Sequence, residues 1–302
     1  MNSKVLGIIN IQLFRKGILV KDLTFKNLIL NTFFERFANG DSMFTTLSCK
    51  IGTGTATPTN SDTALQNQIA SRTQTASSDS LGAIDVPNNQ LVCSANRQFE
   101  FVQGSVVGNI SEVGFEFSPG SSGLHPNTLQ SRSLIKDSFG TPTALTVTAD
   151  DQLVINYSFR ILIPLTDYTG SVELDGVTYS LVGRLANNFN KTVNEFLTIP
   201  SVAAFWFSSY GSTSVFGDHG VAPTVPSGTS SSTQTNFFNI TGGKEFELAA
   251  SINQLNASGG IKVITFPIGT SGAGFKYEFT PVIPKTNTKI LKLRFRMTCT
   301  RA

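Results

Sequence analysis

Residues 291–296 read Leu-Lys-Leu-Arg-Phe-Arg, a strict alternation of apolar and basic side chains. The same period of two occurs in Phe-Glu-Phe at 99–101 and again at 115–117. Successive side chains of a β-strand point to opposite faces of the sheet, so each stretch predicts a strand with one buried and one wet face. Antiparallel sheets are the usual setting for such strands.

Outward from these stretches, most of the chain alternates in the same way or is rich in β-branched residues. The pattern predicts strands at Ile8–Phe14, Gln98–Gln103, Val113–Phe117, Leu153–Ile163, Val172–Leu181, Phe246–Ile252, Ile261–Phe266 and Ile290–Met297. Between them lie clusters of Gly, Pro, Ser, Thr and Asn, and Asp175-Gly176 is a short hairpin-turn signal. We therefore predict a mainly β fold of β-sandwich or jelly-roll-like antiparallel sheets.

Helical spacing is scarce, and it predicts only two short helices. The first runs from Phe25 to Asn39, where apolar residues recur at helical intervals and Gly40 offers a stop. The second runs from Ser61 to Ala70, with Ser61 or Asp62 as its N-terminal cap.

A change of composition near residue 165 predicts two units. From Thr166 to about Gly243 the chain is rich in Ser, Thr, Gly and Asn, and strong strand patterns resume at Glu245. We predict a main β-sandwich domain of residues 1–165 with 245–302, and an inserted Ser/Thr/Gly-rich β lobe of residues 166–244.

Charge and hydropathy exclude several classes of partner. The 302 residues carry a net charge of +3 and only 14% charged residues, against a globular norm of about 25%. The basic residues are spread along the chain, so no nucleic-acid partner is expected. The basic residues between Lys285 and Arg301 predict a solvated or subunit-facing strand face.

No apolar run reaches the length of a membrane span, and neither membrane insertion nor a secretion signal is predicted.

The three cysteines, Cys49, Cys93 and Cys299, are far apart and form no CxxC pair. Zinc and redox motifs are therefore not predicted, and we interpret the cysteines as small apolar side chains in strands. Their odd number is typical of a protein made in a reducing cytoplasm.

Side chains that could carry chemistry are few and scattered. His125 and His219 lie in predicted loops, each without a His or Cys at metal-ligand spacing. Asp218 beside His219 suggests a metal or nucleophile-activating pair, although a loop gives that pair no fixed geometry. Asp150-Asp151 is better explained as a turn between strands, where Asp makes local hydrogen bonds.

The acidic residues give no pair for acid–base catalysis. We place five of them at the solvent positions of strands: Glu100, Glu112, Glu116, Glu245 and Glu247. The run GTGT at 52–55 suggests a phosphate loop, but the Gly-Lys-Ser/Thr ending of such loops is missing. We therefore expect a non-enzymatic protein without cofactor or metal, whose strand edges are protected by symmetric self-assembly.

The two ends of the chain resemble tailed-bacteriophage virion structural proteins. The similar parts are GILVKD at 17–22 with KNLILN at 26–31, then IGTGTATPTNSDTAL at 51–65, and finally FTPVIPKT at 279–286 with the closing Thr300-Arg301. The most specific part is the pattern GTGT-x-x-P-x-x-x-D-T-x-L, and we call residues 52–65 the GTGT segment. The resemblance implies one phage-type β domain located in the virion and assembled in the host cytoplasm. Tail-fibre, baseplate and collar proteins share this look, and their partners are further copies and other virion proteins.

A second hypothesis is a carbohydrate-binding module of a tail fibre or spike that contacts a host-surface glycan. Amides and hydroxyls of the loops at 187–190 and 208–236 suit sugar contacts. The residues expected at an interface or ligand contact are Phe205, Trp206, Phe207 and Tyr210, although a buried strand is the competing interpretation of 205–207. A polysaccharide depolymerase is a third hypothesis, disfavoured because no acid pair is recognisable.

Overall fold

The chain forms a mainly β structure with several antiparallel sheets, consistent with a β-sandwich-like fold. The computed structural model describes residues 2–39, 46–118, 125–186, 193, 206–210, 215–218, 228–232, 234–240, 243–250, 259–268, 273–285, 288 and 290–302. The predicted fold class is therefore confirmed.

Within these ranges the only helical element of several turns is α1, Asn31–Asn39. The strands, numbered β1 to β21 along the chain, are Asn2–Arg15, Ile18–Lys26, Leu28–Ile29, Leu47–Gly52, Gln68–Thr73, Ala76–Asp85, Gln90–Phe101, Gly108–Ile110, Glu112–Phe117, Ser131–Leu134, Leu145–Val147, Asp151–Pro164, Tyr168–Leu174, Val177–Ala186, Trp206–Tyr210, Gly228–Ser232, Gln234–Ile240, Gly243–Ala250, Ile261–Ile268, Ala273–Ile283 and Leu291–Arg301.

The largest sheet has eight strands in the order β17-β18-β21-β1-β12-β7-β6, and β2 pairs with β1 as well. Strand β1 pairs antiparallel with β12 along its length. On its other side β1 pairs with β2 through residues 8–15, and in parallel with β21 through residues 2–5. The hairpin β1–β2 turns at Lys16-Gly17, whose φ angles of 50° and 78° suit a two-residue turn that follows the strand twist.

Three further sheets complete the fold. A five-stranded sheet has the order β3-β10-β9-β4-β5, a two-stranded sheet joins β11 to β8, and a six-stranded sheet has the order β13-β14-β20-β19-β15-β16. The six-stranded sheet combines strands from 168–232 with strands from 261–283. Strand β17, from the predicted insertion, belongs to the eight-stranded sheet. Sheet pairing thus crosses the boundary drawn at 244/245, and the two-unit division stays a prediction.

The main buried cluster takes side chains from the eight-, five- and six-stranded sheets and from helix α1, and it is rich in phenylalanine. The ring of Phe115 on β9 stacks on Tyr157 of β12 with 4.0 Å between centroids. Helix α1 contributes Phe33, which contacts Phe117 and Phe159 at 6.2 and 5.2 Å. Aromatic pairs of this kind add packing energy beyond their buried area, so these rings fasten the helix to the eight- and five-stranded sheets.

The predicted alternation is confirmed in all three defining stretches, where apolar and charged residues alternate in burial.

One strand prediction is wrong: 172–181 is two strands, β13 and β14, joined at Asp175-Gly176. Both turn residues have positive φ, 51° and 75°, as the hairpin signal predicted. The turn signal was therefore right, and the single strand drawn across it was wrong because both arms of the hairpin have the same period.

The first predicted helix begins six residues later than expected, at Asn31 rather than Phe25. Residues 18–26 continue the hairpin as β2, with Leu23 and Phe25 buried and their neighbours exposed. The burial period there is two, so the register with β1 overrides the helical spacing.

The second predicted helix, 61–70, is wrong. Residues 61–67 form turns and bends, and Gln68 begins β5, which pairs with β4. The carboxylate of Asp62 accepts hydrogen bonds from the N–H and hydroxyl of Thr59 three residues earlier, which closes a local turn instead of capping a helix.

The interpretation of the cysteines is confirmed. Cys49, Cys93 and Cys299 lie buried in β4, β7 and β21, and none forms a disulfide. Burial raises the pKa of the Cys49 thiol well above its ordinary value and that of Cys299 to about 12. These thiols therefore stay protonated and pack as apolar groups.

Candidate functional site

The side chain of Glu112, at the start of β9, is completely buried. This overturns its predicted solvent position, because the GTGT segment folds across this end of the strand. One carboxylate oxygen accepts hydrogen bonds from the N–H groups of Gly54 and Asn67 at 3.0 and 2.8 Å. The other accepts from the N–H of Gln66 at 3.1 Å. Burial alone would raise the pKa of Glu112, but these hydrogen bonds, together with Arg132, lower it below its ordinary value.

Arg132 on β10 completes the cluster and is itself buried. Its guanidinium donates to the Glu112 carboxylate from two nitrogens, at 3.1 and 2.8 Å. A third nitrogen donates to Asp62 at 2.5 Å, and the Ala56 carbonyl accepts at 3.2 Å. Arg132 therefore ties the GTGT segment to the five-stranded sheet at two separate points. We call Glu112, Arg132 and Asp62 the buried ion cluster.

Close packing around the buried ion cluster requires the two glycines of the GTGT segment, Gly52 and Gly54. A Cβ at position 54 would lie 2.4 Å from a Glu112 carboxylate oxygen, and one at position 52 would lie 2.5 Å from the Asn67 carbonyl. Only glycine permits such a close approach. Leu65, at the end of the segment, is buried in a small cluster with Leu30 and Leu129.

The geometry of the buried ion cluster explains why this segment looks like a phosphate loop. Backbone N–H groups do converge on an anion, but the anion is the protein's own Glu112 carboxylate. Both of its oxygens accept two or more hydrogen bonds, which leaves little acceptor capacity for a reacting proton. The arrangement is therefore suited to fastening the segment and unsuited to general-base chemistry.

Two residues weighed and rejected as chemical sites hold loops in place. His125, at φ 51°, places its Nε2 2.5 Å from the Glu35 carboxylate on α1. Asp151 is buried at the start of β12 and accepts from Arg15 at 2.8 and 3.0 Å and from Thr148 at 2.7 and 2.8 Å. Arg15 and Thr148 hold the pKa of Asp151 well below its ordinary value. The predicted turn at 150–151 is confirmed, and His219 lies outside the described residues.

A buried lysine that the sequence analysis missed holds the segment at 216–218. The ammonium of Lys276, on β20, donates to the carbonyls of Phe216, Gly217 and Asp218 at 2.6, 2.9 and 2.6 Å. It also lies 4.9 Å from the centre of the Phe216 ring. Burial, and then the charge of Arg184, lower the pKa of Lys276 to about 8. Nothing in the local strand pattern distinguishes this lysine from exposed ones.

The C-terminal basic residues divide into two groups. Lys292, Arg294 and Arg296 are exposed on β21, as predicted. Lys285 is buried, and Arg301 donates to the Ile29 carbonyl and to the Asn31 side chain, so the prediction of a solvated face is wrong for these two. Lys289 lies outside the described residues.

Three of the four predicted contact residues lie on one strand. Trp206, Phe207 and Tyr210 belong to β15, which pairs with β16 and β19 in the six-stranded sheet. Phe205 lies outside the described residues. Residues 206–207 therefore lie in a strand, and both the buried-strand interpretation and the role in an interface or ligand contact stay predictions.

A cavity of about 420 Å³ opens between the six-stranded sheet and β21. Its lining includes the aromatic residues Tyr168, Tyr277, Phe279 and Phe295. Tyr168 is half exposed and its ring meets that of Tyr277 edge to face at 6.5 Å. An aromatic cavity of this size falls in the range of small-ligand sites.

One edge of the eight-stranded sheet is formed by β2 and exposes consecutive apolar side chains. Ile18, Leu19 and Val20 are 69%, 46% and 47% exposed. Among the described strands β2 pairs with β1 alone, so its other side is an open strand edge. The Lys26 carbonyl at the end of β2 accepts a hydrogen bond from the Ser133 hydroxyl at 3.5 Å. A run of exposed apolar residues on an unpaired edge is a liability that proteins avoid unless it serves a contact.

The opposite edge of the same sheet is β6, which has no buried residue. Its apolar side chains Leu81 and Ile84 are 49% and 53% exposed, and Val86 just after the strand is 77% exposed. Among the described strands, β6 pairs only with β7, with a bulge between Ser80 and Ala83. The strand order ends at β17 beyond β21, and β2 is a branch beside β1. We call β2 and β6 the two free edges, because both expose apolar side chains.

Metal and membrane features are not found in the described ranges. No group of three or more His, Cys, Asp or Glu side chains there is placed to hold a metal ion. Helix α1, nine residues long, is far too short to span a lipid bilayer, and the described residues contain no longer helix.

Comparison with known proteins adds no relative. No family model matches the chain, and no curated protein and no solved structure matches it significantly.

Proposed function

We propose that this chain is a non-enzymatic structural component of a tailed-phage virion, which assembles as a homo-oligomer in the tail, baseplate or neck and collar. The observation that carries the proposal is the pair of free edges, β2 and β6, where exposed apolar side chains lie on strands that pair on one side alone among the described strands. Assembly that covers these edges would remove both from water.

The residues behind the phage resemblance support the same proposal. The GTGT segment is fastened by the buried ion cluster, so its glycines and Asp62 have a structural reason to be present. A segment so fastened forms a rigid surface, which suits a component that must be placed identically in many copies.

Immunogold electron microscopy of intact particles tests the proposal, with antibody raised against the purified chain. Label at the neck, tail or baseplate is the expected result. A chain that is abundant in infected cells and gives no label on particles contradicts a virion role. Antibody against a cytoplasmic host protein serves as the matched control for adventitious labelling.

The aromatic cavity favours a second candidate function, a module that binds a host-surface glycan. Sugar rings stack on exposed aromatic faces, and Tyr168 offers half of its surface at the mouth of the cavity. Trp206 and Tyr210, predicted as ligand contacts, belong to the same six-stranded sheet.

A glycan array tests this candidate. Binding should be lost with Tyr168→Ala if the cavity takes the sugar, or with Trp206→Ala and Tyr210→Ala if β15 does. Phe139→Ala is the matched control, since Phe139 is 91% exposed on a turn that belongs neither to the cavity lining nor to β15. An array without any signal for the unchanged chain removes the candidate.

A further inference from the structure

We propose that copies of this chain join head to tail, with edge β2 of one copy pairing in parallel with edge β6 of the next. This inference rests on the proposed assembly function and names the surfaces and the partner: a second copy of the same chain. Adding a strand to a free edge satisfies backbone groups along its whole length.

The two free edges match in length and direction. Strand β2 has nine residues and β6 has ten. Four successive antiparallel pairings, β2–β1, β1–β12, β12–β7 and β7–β6, lie between them. An even number of reversals makes β2 and β6 point the same way, so a sheet that continues from one copy to the next brings them together in parallel.

The charges on the two edges have opposite sign. Residues 16–26 contain three lysines and one aspartate, a net charge of +2, whereas residues 76–86 contain two aspartates and no basic residue, a net charge of −2. Asp79 already contacts the buried Arg97 at 2.5 Å. Asp85 accepts from the neutral amides of Asn88 and Gln90 and keeps its charge available.

The same charges disfavour the symmetric alternatives. Pairing β2 with β2 brings lysines against lysines, and pairing β6 with β6 brings aspartates against aspartates. Like charges across an interface are a means by which proteins reject wrong partners. Head-to-tail pairing is heterologous, and it closes into a ring when the rotation between copies permits.

The test blocks one edge at a time and follows the mass of the assembly by light scattering. The β2 variant is Ile18→Glu with Val20→Glu, which replaces exposed apolar side chains by acidic ones and cancels the positive net charge of that edge. The β6 variant is Leu81→Lys with Ile84→Lys, which replaces exposed apolar side chains by basic ones and cancels the negative net charge of that edge. The matched control, Val107→Glu with Phe139→Glu, changes two exposed apolar residues that lie away from both edges.

We expect the unchanged chain and the control to form oligomers, and each edge variant alone to associate at least about 100-fold more weakly. Mixing the two edge variants should restore association, because each still carries one wild-type edge. If either variant alone keeps the wild-type mass, or if the mixture stays monomeric, head-to-tail pairing is wrong. An unchanged chain that remains monomeric overturns it too.

Hydrogen exchange on the unchanged chain provides a readout that needs no variant to fold. Amides of β2 and β6 should become protected together when the protein is concentrated from monomer to oligomer. Protection confined to other strands contradicts the inference. Immunogold label on particles combined with such a result would overturn the edge pairing and leave the virion proposal intact.

Discussion

Replacement of Arg132 by Met tests the buried ion cluster most directly. Met has a similar length but no charge, so the change removes four hydrogen bonds without opening a large cavity. Glu112 and Asp62 would keep their charges and lose their cationic partner. Breaking a buried ion pair from one side costs about 3–5 kcal/mol.

The lower end of that range applies here because Glu112 retains three backbone N–H donors. A loss of about 3 kcal/mol corresponds to a fall in Tm of about 6–12 °C for a large domain. The assay is thermal unfolding followed by circular dichroism. Arg72→Met is the matched control: Arg72 lies exposed on β5 of the same sheet and should change stability by less than about 0.5 kcal/mol.

A double-mutant cycle that combines Arg132→Met with Glu112→Gln measures the interaction between these two side chains separately from the rest of the cluster. The cost of Glu112→Gln should be smaller in the Arg132→Met background, with a coupling of about 0.5–3 kcal/mol. Hydrogen exchange should also speed up at the amides of Gly54, Gln66 and Asn67. A Tm for Arg132→Met no lower than that of Arg72→Met would refute the reasoning.

Three more changes probe other parts of the fold. Phe37→Ala should cost about 3–5 kcal/mol because the ring is fully buried, whereas Phe139→Ala should leave the Tm unchanged; equal Tm values for the two would contradict the core position. Arg15 holds the pKa of Asp151 below its ordinary 3.8. Unfolding in acid therefore takes up a proton at Asp151, and the stability that the ion pair contributes is lost as the pH falls below that ordinary value. Asp151→Asn should therefore flatten the acid fall in unfolding free energy, measured by urea titration between about pH 5 and about pH 2; a fall as steep as in the unchanged chain argues against the ion pair. Lys276→Met should leave three carbonyls without their donor, at about 1–3 kcal/mol for each group left unsatisfied, and an unchanged denaturation midpoint would contradict that role.

Strand positions could be predicted from the sequence because alternation is a local property. Residues 99–101 and 115–117 need only their neighbours to define two faces. The hairpin at Asp175-Gly176 was equally local, and its turn residues adopt the expected positive φ. Phe25 was placed in a helix because of the helical spacing that follows it, but its pairing with β1 places it in a strand.

The candidate site could not be predicted in the same way because its contacts are distant in sequence. Glu112 follows the rule of alternation in its own strand, but a segment about fifty residues earlier covers it. Arg132 comes from a third part of the chain. The sequence offered no such signal: residues 131–134 mix arginine and serine, and only the structure shows that this short strand is buried throughout.

The free edges were also beyond sequence analysis, because an edge is defined by the order of strands in the sheet. Strands β1 and β2 are neighbours in the chain, whereas the other edge depends on β12 lying between β1 and the hairpin β6–β7, out of sequence order. The apolar run at 18–20 looks like an ordinary buried strand until this order is known. Exposure, and hence the possibility of a contact, is a property of the whole fold.

The most recognisable residues and the surfaces proposed for assembly therefore lie apart. The GTGT segment directs its hydrogen-bonding groups inward, to Glu112 and Arg132, and its glycines are required by that close approach. The free edges of the eight-stranded sheet direct theirs outward, beside exposed apolar side chains and opposite charges. A partner would recognise what is exposed, so the edges, and not the motif, are where variants should alter assembly while the fold stays intact.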